Sequence, residues 1–309
     1  MQHCVTSRAI ACQGTSYTCK HGAIRNLQNS FVVERAPLYA ASDPQALSSQ
    51  GQKLLFSREQ WIPPWGHSAL RYGIFGDIHG NYDALETVLK VLEQEKVDVY
   101  LCTGDVVGYG AEPSRCIAAV REKCVVCLAG NHDHAACGKL DTEFFNIFAK
   151  QVAHWTQTHL SEEERQWLAG LPFICHFEDF TLAHGSAHSP EVFNYITTIF
   201  DAELSFECLD KPLLFYGHTH IPLAFFDTVP MTYTMDQEIH INPEGKTLIN
   251  IGSVGQPRNE DPRASFAVYD SDAQIVHLHR VPYDVKAAGR KIIEAGLPEA
   301  LAIRLELGK

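Results

Sequence analysis

From residue 70 onward the apolar positions switch repeatedly between two rhythms. Short continuous runs such as Tyr72-Gly-Ile-Phe75 have the length and composition of buried parallel strands, and helically spaced stretches follow them. Leu85, Val88, Leu89 and Leu92 stand at i, i+3, i+4 and i+7, one apolar stripe on a helix over 82–93. A strand over 97–101 leads to a helix over 113–123 with Pro113 in its first turn, and a third strand covers 125–128. Two helices fall between Thr142 and Ala169, the second opened by the capping box Ser161-Glu-Glu-Glu164. After Leu171 the texture is mainly strand, at 173–177, 180–183, 213–216, 223–226, 247–251, 266–269 and 275–281. Two helices, over 284–295 and 299–306, close the chain. Strand–helix–strand units followed by many strands predict an α/β fold with two sheets packed face to face and helices outside.

Residues 1–69 have a different character. They are rich in Ser, Gln and Thr, show little periodicity, and reach their first acidic residue only at Glu34. The expected organisation is an N-terminal extension over 1–69, disordered or a transit peptide, and one catalytic domain over 70–309. The extension carries six Lys/Arg against three Asp/Glu, so the overall charge of -12 leaves -15 on the remainder. An acidic exterior disfavours nucleic acid as a partner, and any phosphate-bearing substrate needs bound cations to attract it. No stretch has the roughly 18 uncharged apolar residues that a membrane helix requires. Cys102, Cys124, Cys127 and Cys175 lie in apolar, strand-like runs where a free thiol behaves as a small hydrophobe. Alternation along a strand turns the sulfurs of Cys124-Val-Val-Cys127 to opposite faces, against a shared zinc site. These features predict a reducing, cytoplasmic setting.

The chemistry gathers at the ends of the strands. Tyr72-Gly-Ile-Phe-Gly-Asp77-Ile-His79-Gly80 ends an apolar run in a carboxylate and an imidazole. Val99-Tyr-Leu-Cys-Thr-Gly104-Asp105 ends in another carboxylate, set among glycines that let backbones approach closely. Leu128-Ala-Gly130-Asn131-His132-Asp133, Phe180-Thr-Leu-Ala-His184-Gly185 and Leu213-Leu-Phe-Tyr-Gly217-His218-Thr-His220 complete the set. Open α/β sheets place their sites at such carboxyl ends. Oxygen and imidazole donors without thiolate suit Mn²⁺, Fe²⁺ or Zn²⁺, and there are too many donors for one tetrahedral ion. Gathering so many polar groups at strand ends is costly unless a cation neutralises them. A two-metal site bridged by one carboxylate favours phosphate-ester hydrolysis. His176, His188, His277 and His279 are read as structural or solvent-exposed, and His134 is a candidate for the substrate mouth.

The five motifs, in this order, resemble the calcineurin-like metallophosphoesterase superfamily over residues 71–307. The resemblance implies a four-layer α/β sandwich, two packed β-sheets flanked by helices. It implies that Asp77, His79 and His220 hold one divalent ion, that Asn131, His184 and His218 hold a second, and that Asp105 bridges both. A hydroxide shared by the metals would attack phosphorus, His132 would serve as general acid/base, and Asp133 would orient His132. Protein phosphatases of the superfamily carry an Asp-Arg-Gly after the second motif, whereas this chain has Val107-Gly-Tyr-Gly110, with no arginine. That stretch, with Gly252-Ser-Val-Gly-Gln-Pro-Arg258, is similar to small prokaryotic phosphodiesterase-like proteins. A small phosphodiester or nucleotide-like substrate is therefore expected. The alternatives are a phosphomonoesterase and a non-catalytic scaffold on the same fold.

Around the metals, Arg258 or Arg263 could reach a substrate phosphate, or pair with Glu260 or Asp261. Tyr109 could stack on a nucleobase or plug its loop against the core. The His184-Gly-Ser-Ala-His-Ser-Pro190 loop is longer than the usual His-Gly-Ser-Pro, which implies an altered substrate rim, and Ile251 replaces a customary proline.

Overall fold

A computed structural model describes residues 70–309 and two short strands before them, β1 (Val32–Val33) and β2 (Leu54–Leu55), which pair antiparallel. The expected disorder or targeting role of 1–69 lies outside the described residues.

The first large sheet has six strands. Its centre is β3 (Arg71–Phe75), parallel to β4 (Val99–Cys102), which is parallel in turn to β5 (Val126–Cys127). On the other side of β3 lie, antiparallel, β13 (Ala264–Asp270), β14 (Ile275–Val281) and β11 (Glu238–His240). The second sheet runs β10 (Thr232–Thr234), β9 (Leu223–Phe226), β12 (Thr247–Asn250), β8 (Leu213–Tyr216), β7 (Phe180–Ala183), β6 (Ile174–His176). Its inner pairs β12–β8 and β8–β7 are parallel.

The two sheets meet across one apolar layer. Tyr72, Ile74, Val99 and Leu101 from the first pack with Phe180, Leu182, Leu213, Phe215 and Ile249 from the second. The strands are apolar on both faces because both faces are covered. Outside the first sheet, Leu85, Val88 and Leu92 of α1 (Tyr82–Gln94) and Ile117 and Val120 of α2 (Pro113–Lys123) cover Phe75, Phe266 and Val268. Outside the second, Ala202 and Phe206 of a helix over Ile199–Glu207 cover Leu214, Tyr216 and Leu248. The result is the expected order of helix, sheet, sheet, helix.

The remaining helices are α3 (Asn131–Ala136), α4 (Ile147–His159), α5 (Glu162–Ala169), α6 (the Ile199–Glu207 helix), α7 (Val285–Glu294) and α8 (Glu299–Leu307). The capping box of α5 forms as the sequence predicts, with Ser161 and Glu164 exchanging bonds. Lys291 of α7 pairs with both Asp83 and Glu112, tying the closing helices to α1 and the start of α2. The short elements α3, α6, β10 and β11 were not predicted. Cys102, Cys116, Cys124, Cys127, Cys137 and Cys175 are free thiols, and among the described residues no helix is long and apolar enough to cross a membrane.

Candidate metal centre

All five motif loops leave the same end of the two sheets and interlock. Asp77 N–H donates to Gly104 O at 2.9 Å, His79 N–H to Asp105 O at 2.9 Å, and Gly110 N–H to His79 O at 2.7 Å. Ser253 Oγ and Gly255 N–H both donate to Asp77 O from behind, at 2.8 and 2.9 Å. Asn250 extends the lattice, donating to Gly217 O at 2.7 Å and to Thr219 Oγ1 at 2.8 Å. These bonds force sharp reversals at the ligands themselves. Asp77, His79, Asp105, Tyr109, His218 and His220 all have φ between 48° and 66°, a region unfavourable to residues with a Cβ. Such strain persists only where the surroundings over-determine it, and it concentrates at functional sites.

Two glycines show how tightly the carboxylates are cradled. A Cβ at Gly217 would stand 2.1 Å from Asp77 Oδ2, and one at Gly130 would stand 2.0 Å from Asp105 Oδ1. Backbone amides complete the cradles. His218 N–H donates to both Asp77 oxygens at 3.2 and 2.9 Å, and His132 N–H donates to Asp105 Oδ1 at 2.8 Å.

The imidazoles are held in fixed tautomers. His79 Nδ1–H donates to Val107 O (3.2 Å), His220 Nδ1–H to Gln256 O (2.5 Å) and His184 Nδ1–H to Thr103 O (3.0 Å). A carbonyl can only accept, so each Nδ1 carries its proton, and on the neutral rings of His79 and His220, whose protonation burial disfavours, Nε2 carries a lone pair. Those lone pairs confront each other, because His79 Nε2 lies 3.1 Å from His220 Nε2. His220 Nε2 is also 3.1 Å from Asp77 Oδ1. On the other side, His184 Nε2 lies 3.1 Å from His218 Nδ1 and 3.3 Å from Asn131 Oδ1.

Asp105 Oδ2 stands between the two groups, 3.7 Å from His79 Nε2 and 3.5 Å from His184 Nε2, buried and without a hydrogen-bond partner. The structure thus brings together all seven predicted ligands. Asp77–His79–His220 and Asp105–His184–His218 each converge with donor atoms within 4.8 Å of one another, and Asn131 joins the second group.

The residues fit divalent cations. An orphaned buried carboxylate oxygen, opposed nitrogen lone pairs and a hard-to-borderline donor set all call for positive charge. The electrostatics agree. Burial opposes charge on His184, yet Asp105 outweighs it and holds that imidazole up at about 9, marking the place where a cation is most favoured. Burial raises the Asp105 carboxyl, but His184, His132 and His79 hold it well below the usual carboxylate range. His79 and His218 are pushed far below the ordinary histidine range, in both cases chiefly by burial.

A model of the calcineurin-like phosphoesterase family matches residues 70–224. This chain belongs to that family. The phosphoesterase is also 33% identical over 240 residues to an uncharacterized protein of Methanocaldococcus jannaschii, a match covering 76% of this chain and 97% of that protein. Among solved structures, a metallophosphoesterase from Sphaerobacter thermophilus shares 38% identity at a TM-score of 0.71, covering 78% of this chain and 100% of that one. A hypothetical protein from Pyrococcus horikoshii shares the fold at 19% identity and a TM-score of 0.63, covering 77% and 98% respectively.

Around the candidate ligands the structure shows where the other residues singled out in the sequence lie. Asp133 does not meet the His132 ring; its oxygens accept from Val107 N–H and Gly130 N–H, both at 3.1 Å. It caps α3, the helix that begins at the candidate ligand Asn131. Tyr109 is only 5% exposed, so it plugs its loop and offers no open face to a nucleobase. Its ring packs on His132 and His79 at 4.5 and 4.8 Å, and Phe145 closes the other flank of His132 at 5.0 Å. His132 is therefore oriented by rings, not by a carboxylate. Its Nδ1 is buried without a partner, and burial pulls its pKa down to about 4. One His132 nitrogen lies within 4.8 Å of donor atoms of His79 and Asp105.

The arginine question is answered by partners. Arg263 is paired with Asp261, Nη2 to Oδ2 at 2.6 Å. Arg258 meets no carboxylate among the described residues. It donates to Gln256 Oε1 at 3.0 Å and lies near enough to His79, His132, His218 and His220 to disfavour their protonation. His134, the candidate for the substrate mouth, is instead buried against Phe173 and Phe193.

Sequence reasoning missed Tyr195, whose ring stacks on His218, and Arg304 of α8, whose guanidinium lies 5.8 Å from the Tyr109 ring centre. Neither sits in a motif. The only signal for Tyr195 was the unusual length of the loop that follows His184.

Proposed function

We propose that this phosphoesterase hydrolyses a phosphodiester or nucleotide-like phosphate ester with two divalent ions, Mn²⁺, Fe²⁺ or Zn²⁺. The observation that carries the reading is Asp105 Oδ2, a buried and unpartnered oxygen equidistant, within 0.2 Å, from a nitrogen of each ligand group. Asp77, His79 and His220 would hold one ion, Asn131, His184 and His218 the other, and Asp105 both. Bound there, such a pair acidifies water and neutralises phosphoryl charge.

The chain's own groups do the rest. His79 and His220 are preset by carbonyls in the tautomer that leaves Nε2 free, and Thr103 O fixes the orientation of the His184 ring. They need no reorganisation, which is the basis of electrostatic preorganisation. His132 stands beside the first group without belonging to either trio of ligands, and it exchanges a proton with the leaving alkoxide. Arg258 reaches the phosphoryl oxygens as a fork of donors from outside the metal pair. No arginine follows the second motif, and Tyr109 fills that position, so the dianionic end of a monoester lacks the clamp that a phosphatase supplies. A diester carries one charge fewer and suits this site better. The acidic surface supports a small substrate over nucleic acid.

The test is hydrolysis of bis(p-nitrophenyl) phosphate against p-nitrophenyl phosphate by metal-stripped protein resupplied with Mn²⁺, with Asp105→Asn as control. Diester preference, abolished in the variant, is the expected result. Undiminished turnover by Asp105→Asn sinks the mechanism. No turnover of either ester with two ions bound makes the protein a scaffold.

A further inference from the structure

The site as described seats a phosphate but leaves the organic part of the ester unaccounted for. Tyr195 offers it a place. Its ring lies flat on the His218 imidazole, with centroids 3.8 Å apart and planes inclined by 12°. His218 is 4% exposed, whereas Tyr195 keeps 50% of its surface. One face of the phenol is therefore covered by a candidate metal ligand, while half of the residue's surface stays open to solvent.

Surface rings normally swing between rotamers, but this one is pinned. Its flanking residues Phe193 and Ile196 are buried, and Phe193 packs edge-on against His184 at 5.8 Å. Ser186 N–H donates to Asn194 O at 2.9 Å, tying the loop to the strand end that carries His184. The Arg258 guanidinium lies beside the Tyr195 hydroxyl. An open, preoriented aromatic face one ring's thickness from a ligand costs little entropy to stack on. It also sits next to the one arginine of the site that has no carboxylate partner among the described residues. A role in shielding His218 from water would require bulk alone; stacking requires the ring.

We infer that Tyr195 is the platform on which a planar, nucleobase-sized group of the substrate stacks, while Arg258 takes the phosphate beside it. The inference rests on the phosphoester reading of the site and assigns the residue that selects the ester's organic group. The test compares adenosine 5′-monophosphate with ribose 5-phosphate, which share the phosphate and sugar and differ by the base. Binding of each to Mn²⁺-loaded protein is measured by titration calorimetry, with bound metal quantified in every variant.

Wild-type protein is expected to favour the nucleotide by about 5- to 150-fold, the range of one base–aromatic stack. Tyr195→Leu, which keeps bulk, brings the ratio close to one with ribose 5-phosphate affinity and metal content unchanged. Tyr195→Phe keeps the ratio. A wild-type ratio near one, or an unchanged ratio in Tyr195→Leu, overturns the platform. So does a Tyr195→Leu variant that loses metal and both ligands alike, since that result assigns the ring to shielding. Loaded protein that binds neither compound overturns the platform, whereas loaded protein that leaves the diester intact overturns the phosphoester reading. Protein that hydrolyses the diester but does not distinguish the two compounds overturns the platform alone.

Discussion

His79 and His220 point lone pairs at each other across 3.1 Å, and neither can turn away, because Val107 O and Gln256 O hold their opposite nitrogens. Two facing acceptors repel unless a cation lies against both. Metal removal is therefore expected to lower thermal stability, and Mn²⁺ at about 100 times its dissociation constant to restore about 2.7 kcal/mol per ion. Differential scanning calorimetry against Mn²⁺ concentration checks this. A melting temperature indifferent to the metal contradicts it.

The glycine cradle around Asp77 gives a sharper test. In Gly217→Ala the new methyl would stand 2.1 Å from Asp77 Oδ2, and the carboxylate must move or the β8 loop must open. A cost of about 1–3 kcal/mol is expected from such overpacking. Asp77 is a proposed ligand, and bound metal should fall in the folded variant. Elemental analysis beside circular dichroism separates the two effects; a variant with full metal occupancy refutes the cradle.

The cluster of candidate ligands was legible because strand alternation and glycine spacing are local properties, and each motif announces itself at a strand end. The first-sheet helices were legible for the same reason, through the Leu85–Leu92 stripe on α1. What lay hidden depends on contacts between distant segments. Strands β10 and β11 are three residues long and mostly exposed, so they show no apolar rhythm, and their pairing with β9 and β14 decides them. The residues of α6 follow a loop without periodicity. Tyr195 meets His218 only through the folded sheet, and Asp133 reads equally well as a partner for its neighbour or as the cap it proves to be.

That cap carries its own prediction. Asp133 accepts two backbone amides on two different oxygens, and an amide side chain has one acceptor oxygen. Asp133→Asn leaves one buried N–H unpaired, at a cost of about 1–3 kcal/mol. Denaturant unfolding should register the loss. If Asp133 instead oriented His132 directly, the variant would lose rate while keeping stability.

A His132 nitrogen converges with donor atoms of His79 and Asp105, and its ring is held by Tyr109 and Phe145. His132→Ala should reduce the hydrolysis rate by roughly 10²- to 10⁴-fold, the usual worth of a proton-transfer group, with both ions retained. Loss of metal in that variant would make His132 a ligand.

Arg258 and Arg263 stand five residues apart and flank the same turn in the sequence, yet their surroundings predict opposite outcomes. Arg263 is exposed and engaged with Asp261, and exposed pairs of this kind are worth little. Arg263→Ala should leave hydrolysis unaltered. Arg258 is held by a neutral partner, Gln256, and its positive field already reaches four imidazoles of the centre. Removing a charge-assisted bond to a phosphoryl oxygen costs about 1.5–3 kcal/mol, which corresponds to about 10- to 150-fold in kcat/KM. Arg258→Met should show that loss with metal content unchanged. Arg258→Lys should recover only part of it, because a lysine brings the charge without the planar fork. Steady-state kinetics of the three variants on the diester decide the matter: an Arg258→Met variant with unaltered kcat/KM would mean that Arg258 does not touch the substrate.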